Sequence, residues 1–172
     1  IVRKGVKSLV YYTIGTGIGA GAIQNGEFIG GIGHTEAGHV YVAPHPQDVA
    51  NNYTGFCPFH KGCLEGMAAG PSLEGRTGIR GELIELNSEV WDYIAQAAVQ
   101  ATLLYRPQVI VFGGGVMAQE HMLKRVRDKF TALLNGYVPV PDVTEYIVTP
   151  GVSENGSATL GNFALAKKVS ER

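Results

Sequence analysis

The first third of the chain alternates short apolar runs with glycine-rich breaks, and the remainder turns to longer helical periodicity. Val6 to Ile14 is rich in valine, tyrosine and isoleucine, which predicts a buried strand. It runs into Gly15-Thr16-Gly17-Ile18-Gly19-Ala20-Gly21. Ala20 to Gln24 is expected to pair with Glu27 to Ile29, because the intervening Asn25-Gly26 is a strong hairpin turn. His39 to Val42 reads as a further strand and Leu64 to Ala69 as a short helix. Ser88 to Arg106 is the clearest helix. Val90, Trp91, Ile94, Ala97, Ala98, Ala101 and Leu104 recur at helical spacing, Ser88 can cap the start, and Pro107 ends it. Gln108 to Phe112 is a second buried strand, closed by Gly113-Gly114-Gly115. A helix from about Ala118 to Leu134, a strand at Glu145 to Val148 and a last helix from about Ser157 to Val169 complete the pattern. A meander of strands followed by helix–strand alternation predicts an α/β fold. Residues 70 to 87 give no readable pattern.

Composition narrows the class. A chain of 172 residues suits one domain with a real core. With 45% hydrophobic and 17% charged residues it is expected to be globular. The net charge of -1, with lysine and arginine spread out, argues against a nucleic-acid surface, which needs a basic stripe. Apolar runs such as Val109 to Phe112 are far too short to span a bilayer, and no signal peptide is expected. The chain begins at Ile1 rather than methionine, so further sequence upstream is expected.

Both cysteines of the chain fall within Cys57-Pro-Phe-His60-Lys-Gly-Cys63. Cys57, His60 and Cys63 are soft or borderline donors at three-residue steps, in a loop that Pro58 and Gly62 keep tight. His39 is the favoured fourth donor, with His34 and His45 also near in sequence. Two thiolates and two imidazoles are a common tetrahedral set for zinc. A disulfide or a pair of buried thiols would leave the interposed histidine unexplained. With the thiols committed to metal, the cytoplasm is the expected compartment.

Two glycine clusters each follow a buried strand. Glycine lets a backbone approach a ligand closely and lets consecutive amides point at an anion, and Thr13 and Thr16 add hydroxyls. Neither cluster matches the Walker loop or the dinucleotide fingerprint. Two of them on one α/β scaffold point to a ligand at the strand ends. Glu36 and Glu65 flank the cysteine segment in sequence, and a metal tying His39 to Cys63 would draw both carboxylates to one place. Paired carboxylates suit recognition of sugar hydroxyls.

Taken together, Thr13-Ile-Gly-Thr-Gly-Ile-Gly-Ala-Gly21, Glu36-Ala-Gly-His39, Cys57-Pro-Phe-His-Lys-Gly-Cys-Leu-Glu65 and Val109-Ile-Val-Phe-Gly-Gly-Gly115 resemble the ROK family of sugar kinases and sugar-responsive repressors. The Cys-Pro-Phe-His form of the knuckle is similar to the bacterial fructokinase branch. The resemblance implies an actin-like ATPase (ribonuclease H-like) fold of two lobes with sugar and ATP in the cleft between them. This chain resembles the C-terminal lobe, with a zinc knuckle inserted. It further implies sugar contacts from Glu36 and Glu65 and a zinc-binding role for His39. Gly15, Thr16 and Gly17 would approach the ATP phosphates, and Gly113, Gly114 and Gly115 the nucleoside. Magnesium would accompany ATP, and a homodimer is expected.

One departure is large. The family's catalytic aspartate and its Asp-x-Gly-Gly-Thr loop precede the first glycine-loop strand, and no aspartate here precedes Asp48. The general base is therefore expected upstream of Ile1, with the N-terminal lobe. The expected activity of the whole protein is transfer of the γ-phosphoryl of ATP to D-fructose. A repressor lobe of the same family, or a kinase for glucose, mannose or an N-acylated mannosamine, are the alternatives.

Overall fold

The two buried runs separated by most of the chain lie side by side. In the computed structural model, which describes residues 5–78 and 88–151, strand β1 (Leu9–Ile14) pairs in parallel with β4 (Val109–Gly113). On its other edge β1 meets β2 (Ile18–Gln24) in an antiparallel hairpin, and β2 meets β3 (Glu27–Phe28) the same way. The short β5 (Ile147–Val148) adds in parallel to β4, giving the order β3-β2-β1-β4-β5. Asn25 and Gly26 both have positive φ, 53° and 84°, as a type I′ turn between β2 and β3 demands.

Six α-helices accompany the sheet among the described residues: α1 (Pro46–Ala50), α2 (Leu64–Ala68), α3 (Gly70–Thr77), α4 (Ser88–Tyr105), α5 (Glu120–Leu134) and α6 (Val143–Tyr146). A parallel pair needs a crossover, and α4 lies in the stretch that carries the chain from the hairpin to β4. It packs on α5 and α2, and its Val90, Tyr93, Ile94, Ala97, Ala98 and Ala101 are buried. The core closes around aromatic pairs. Tyr12 and Phe112, cross-strand neighbours on β1 and β4, stack at 5.2 Å. Phe130 of α5 meets Tyr146 at 5.9 Å, and the Tyr146 hydroxyl lies 2.9 Å from Thr102 Oγ1 on α4. α4 ends where Arg106 turns to positive φ before Pro107.

Several expectations need correction. Residues 39–42 form no strand. Ala37–His39 is one turn of 3₁₀ helix, and Tyr41 makes only an isolated bridge to Cys63. The turn follows from Gly38, whose missing side chain lets the backbone rest on the Ile18 carbonyl. The strand expected at 145–148 starts only at Ile147, because Asp142 caps a helical turn over the preceding residues. Leu104 is exposed, while Tyr93 takes a core position. The helix expected at 157–169 lies outside the described residues.

Candidate functional site

The four predicted metal donors converge. Ligand atoms of His39, Cys57, His60 and Cys63 all lie within 4.8 Å of one another. His39 Nδ1 stands 3.9 Å from Cys57 Sγ and 3.8 Å from Cys63 Sγ, and His60 Nδ1 is 3.8 Å from Cys57 Sγ. Nitrogen and sulfur bound to one tetrahedral zinc sit roughly 3.6 Å apart, so the set needs only a slight contraction to fit that ion. No disulfide joins the two cysteines, and both are buried. Burial pushes the Cys63 thiol up, and Cys57 and Glu65 beside it push the same way against one bond from the Gly66 amide. A cation at the centre is what would draw the protons off.

Local sequence explains the convergence. Gly62, at φ 78°, turns the loop into Cys63, and Cys63 caps α2 by accepting from the Gly66 amide. Backbone bonds from Val42 to Gly62 and from Leu64 to Val40 tie the His39 segment alongside. Gly66 leaves room for Cys57, whose Cβ would otherwise stand 3.0 Å from a side chain there.

Glu65, on the first turn of α2, reaches from the Cys/His cluster to the first glycine turn. Its Oε1 lies 3.8 Å from His39 Nε2, within ion-pair range, and its Oε2 accepts from the Ile18 amide at 2.8 Å. At 3.8 Å the approach to His39 is too long for a hydrogen bond, so the Ile18 amide is the firm tether of this carboxylate. Glu36 is placed differently. Its carbonyl accepts from the His39 amide, but its side chain is 71% exposed and meets His34 at 3.1 Å. Of the two carboxylates expected to share one place, only Glu65 is anchored, while the Glu36 side chain turns to His34 and solvent.

The two glycine clusters come together at the carboxyl ends of β1 and β4, where α/β sheets bind ligands. Gly114, at φ 93°, sits against the backbone of Ile14, so no side chain could stand between the turns. A side chain on Gly113 would meet the Tyr11 hydroxyl and Pro150. Gly15 and Gly115 border open space, and Thr16 is exposed. The Gly15 carbonyl accepts from Gly70 at 2.7 Å, which pins the first turn to the start of α3.

A supporting frame went unread in the sequence. Asp48 of α1 takes the Arg76 fork from α3 through two bonds of 2.8 Å and the Tyr93 hydroxyl from α4 at 2.6 Å. Arg76 also donates to the Met67 carbonyl on α2, the helix that carries Glu65, and lies over the Tyr53 ring at 4.4 Å. Burial pushes the Asp48 carboxyl up, but bonds from Arg76 and Tyr93 and the Arg76 and His45 charges outweigh it, so it titrates below its ordinary range. Only the Pro-Gln-Asp helix start hinted at this. A cavity of about 530 Å³ lies elsewhere, between residues 43–46 and the α4–α5 pair, and of the candidates weighed in the sequence only His45, an alternative metal donor, lines it.

A profile described as "ROK family" matches residues 2–169. The chain is 80% identical over 176 aligned positions to a fructokinase from Streptococcus mutans, an alignment covering 100% of this chain and 60% of that protein. It is 57% identical to a fructokinase from Lactococcus lactis, with 95% of this chain and 58% of that protein covered. The chain thus spans about three fifths of the length of these relatives. Its backbone is similar to the ROK hexokinase of Thermus thermophilus, with a TM-score of 0.67 at 22% identity, over 90% of this chain and 55% of that one.

Proposed function

The chain belongs to the ROK family, and from that footing we propose that it is the C-terminal lobe of an ATP-dependent kinase that phosphorylates D-fructose at its 6-hydroxyl. The observation that carries the proposal is the 80% identity, along the entire chain, to a protein called fructokinase.

In this reading Glu36 and Glu65 accept hydrogen bonds from fructose hydroxyls. The amides around Gly15, Thr16 and Gly17 face the phosphates of magnesium-ATP, and the Gly113-Gly114-Gly115 turn lies against the nucleoside. Such transfer gains most of its speed from alignment and from charge stabilisation around the moving phosphoryl group. His39, Cys57, His60 and Cys63 would hold zinc. Four protein ligands leave no open position for water, so zinc supplies a crosslink rather than chemistry. Its effect falls on Glu65, two residues past Cys63. We place the enzyme in the cytoplasm as a homodimer.

The test is a coupled assay on the full-length protein with fructose, glucose, mannose and N-acetylmannosamine. Highest kcat/KM with fructose, dependent on ATP, is the expected result. Phosphorylation of another hexose at equal or greater efficiency would overturn the fructose assignment, and sugar binding without turnover would favour a sensor.

A further inference from the structure

Gly17 belongs to the turn assigned to ATP phosphates, yet its surroundings connect it to the sugar carboxylate. A Cβ at this position would stand 2.8 Å from Glu65 Oε2 and 3.5 Å from Glu65 Cδ, with no other contact inside 4 Å. Its φ lies outside the left-handed range, so backbone geometry does not demand glycine here. Backbone packing does not demand it either, since the only thing a methyl would displace is the end of a flexible side chain.

That end is held in a definite way. The next residue, Ile18, donates its amide to Glu65 Oε2 at 2.8 Å, while Oε1 faces His39 Nε2 at 3.8 Å. One oxygen is thus seated on the glycine turn and the other points toward the metal cluster. A methyl on residue 17 would push Oε2 off its seat and break the Ile18 bond. The turn itself keeps its other tethers, the Gly15 amide on the Gly17 carbonyl at 2.9 Å and the Gly70 amide on the Gly15 carbonyl at 2.7 Å.

We infer that Gly17 is a positioning residue for the sugar site: its missing side chain is the seat of the Glu65 carboxylate, and it governs sugar use through that carboxylate rather than phosphate binding. The inference rests on the proposed sugar role of Glu65, and the test separates the two.

The experiment uses the full-length protein as wild type, Gly17→Ala, Glu65→Ala and the double variant. Fructose and ATP are varied separately, and amide hydrogen exchange is followed at Ile18. Expected in Gly17→Ala is a fructose KM raised by roughly tenfold or more, the scale of one lost charge-assisted hydrogen bond. The ATP KM stays within about threefold and zinc content is unchanged. In the Glu65→Ala background, Gly17→Ala adds less than about twofold, since two residues acting through one contact are not additive. Ile18 exchange quickens in both single variants and no further in the double one.

An ATP KM raised as much as the fructose KM, effects that multiply, or unchanged Ile18 exchange in Gly17→Ala would each overturn the inference. If Gly17→Ala fails to fold and the double variant folds, the clash with Glu65 is the cause and the inference stands. If both fail, Gly17 serves the fold and it falls. A wild-type protein that does not use fructose removes the fructose assignment, and Ile18 exchange then decides the seat on its own.

Discussion

A carboxylate is only as selective as the groups that aim it. Glu65 is aimed by the Ile18 amide and stands close to His39, whereas Glu36 extends into solvent beside His34. Each, in the proposed enzyme, accepts from sugar hydroxyls in a closed cleft, where a charge-assisted bond contributes about 1.5–3 kcal/mol. Glu→Gln at either position keeps the shape and removes the charge. Fructose kcat/KM is expected to fall by about tenfold to a hundredfold. The ATP KM and the zinc content are expected to hold, as neither residue is a proposed metal ligand. Steady-state kinetics with each substrate varied checks this, and wild-type efficiency in both variants on every hexose would place the sugar elsewhere.

Among elements, α1, α3 and α4 are joined by an ion pair that is nearly sealed from water, with Asp48 1% and Arg76 6% exposed. Breaking such a pair leaves a buried charge unmatched, so Arg76→Ala is expected to cost about 3–5 kcal/mol in denaturant unfolding. The pH dependence follows from the depressed Asp48 carboxyl. Its contribution is fully present above the ordinary aspartate value, near 3.9, and is lost as pH falls through the lower folded value. The stability gap between wild type and Asp48→Asn is therefore expected to narrow below about pH 4. A gap that stays constant down to pH 2 would refute it. Elements with local signals were legible in the sequence: the Asn25-Gly26 hairpin, the 88–105 helix stopped by Pro107, and the run ending at Gly113. The cysteine spacing told of the Cys/His cluster because three of its members are near neighbours in sequence. Residues 39–42 were misread as a strand because the turn at 37–39 that leads into them is set by contact of Gly38 with Ile18, which apolar pattern does not encode. The Arg76 frame was invisible for the same reason, its partner lying 28 residues away on another helix.

At the scale of the whole chain, the Cys/His cluster, one anchored carboxylate and two glycine turns gather around the ends of β1 and β4. Structural zinc contributes strongly to folding. One zinc per chain is expected by elemental analysis, and chelation is expected to lower the melting temperature. Metal-free protein with both thiols reactive and an unchanged melting temperature would exclude the site. The 172-residue chain by itself is expected to give no kinase turnover. Each of its four aspartates is already engaged: Asp48 by Arg76, Asp92 by Lys129, Asp128 by Lys124 and Asp142 by Thr144. Turnover of about 1–100 per second, the ordinary range for kinases, would show that a base is present among these residues. The parallel pairing of β1 with β4 carries a further consequence, for the order in which the chain acquires shape. Leu9 pairs with Val109, so the two strands that close the site are about 100 residues apart in sequence. The β1–β2 hairpin forms from neighbours, but its partner strand β4 arrives much later and at a larger cost in loop closure. At about 5–20 residues per second on the ribosome, the hairpin waits roughly 5–20 s for β4 with one edge unpaired. During that interval the open edge of β1, with its Val-Tyr-Tyr run, is the part of the nascent chain most exposed to mispairing.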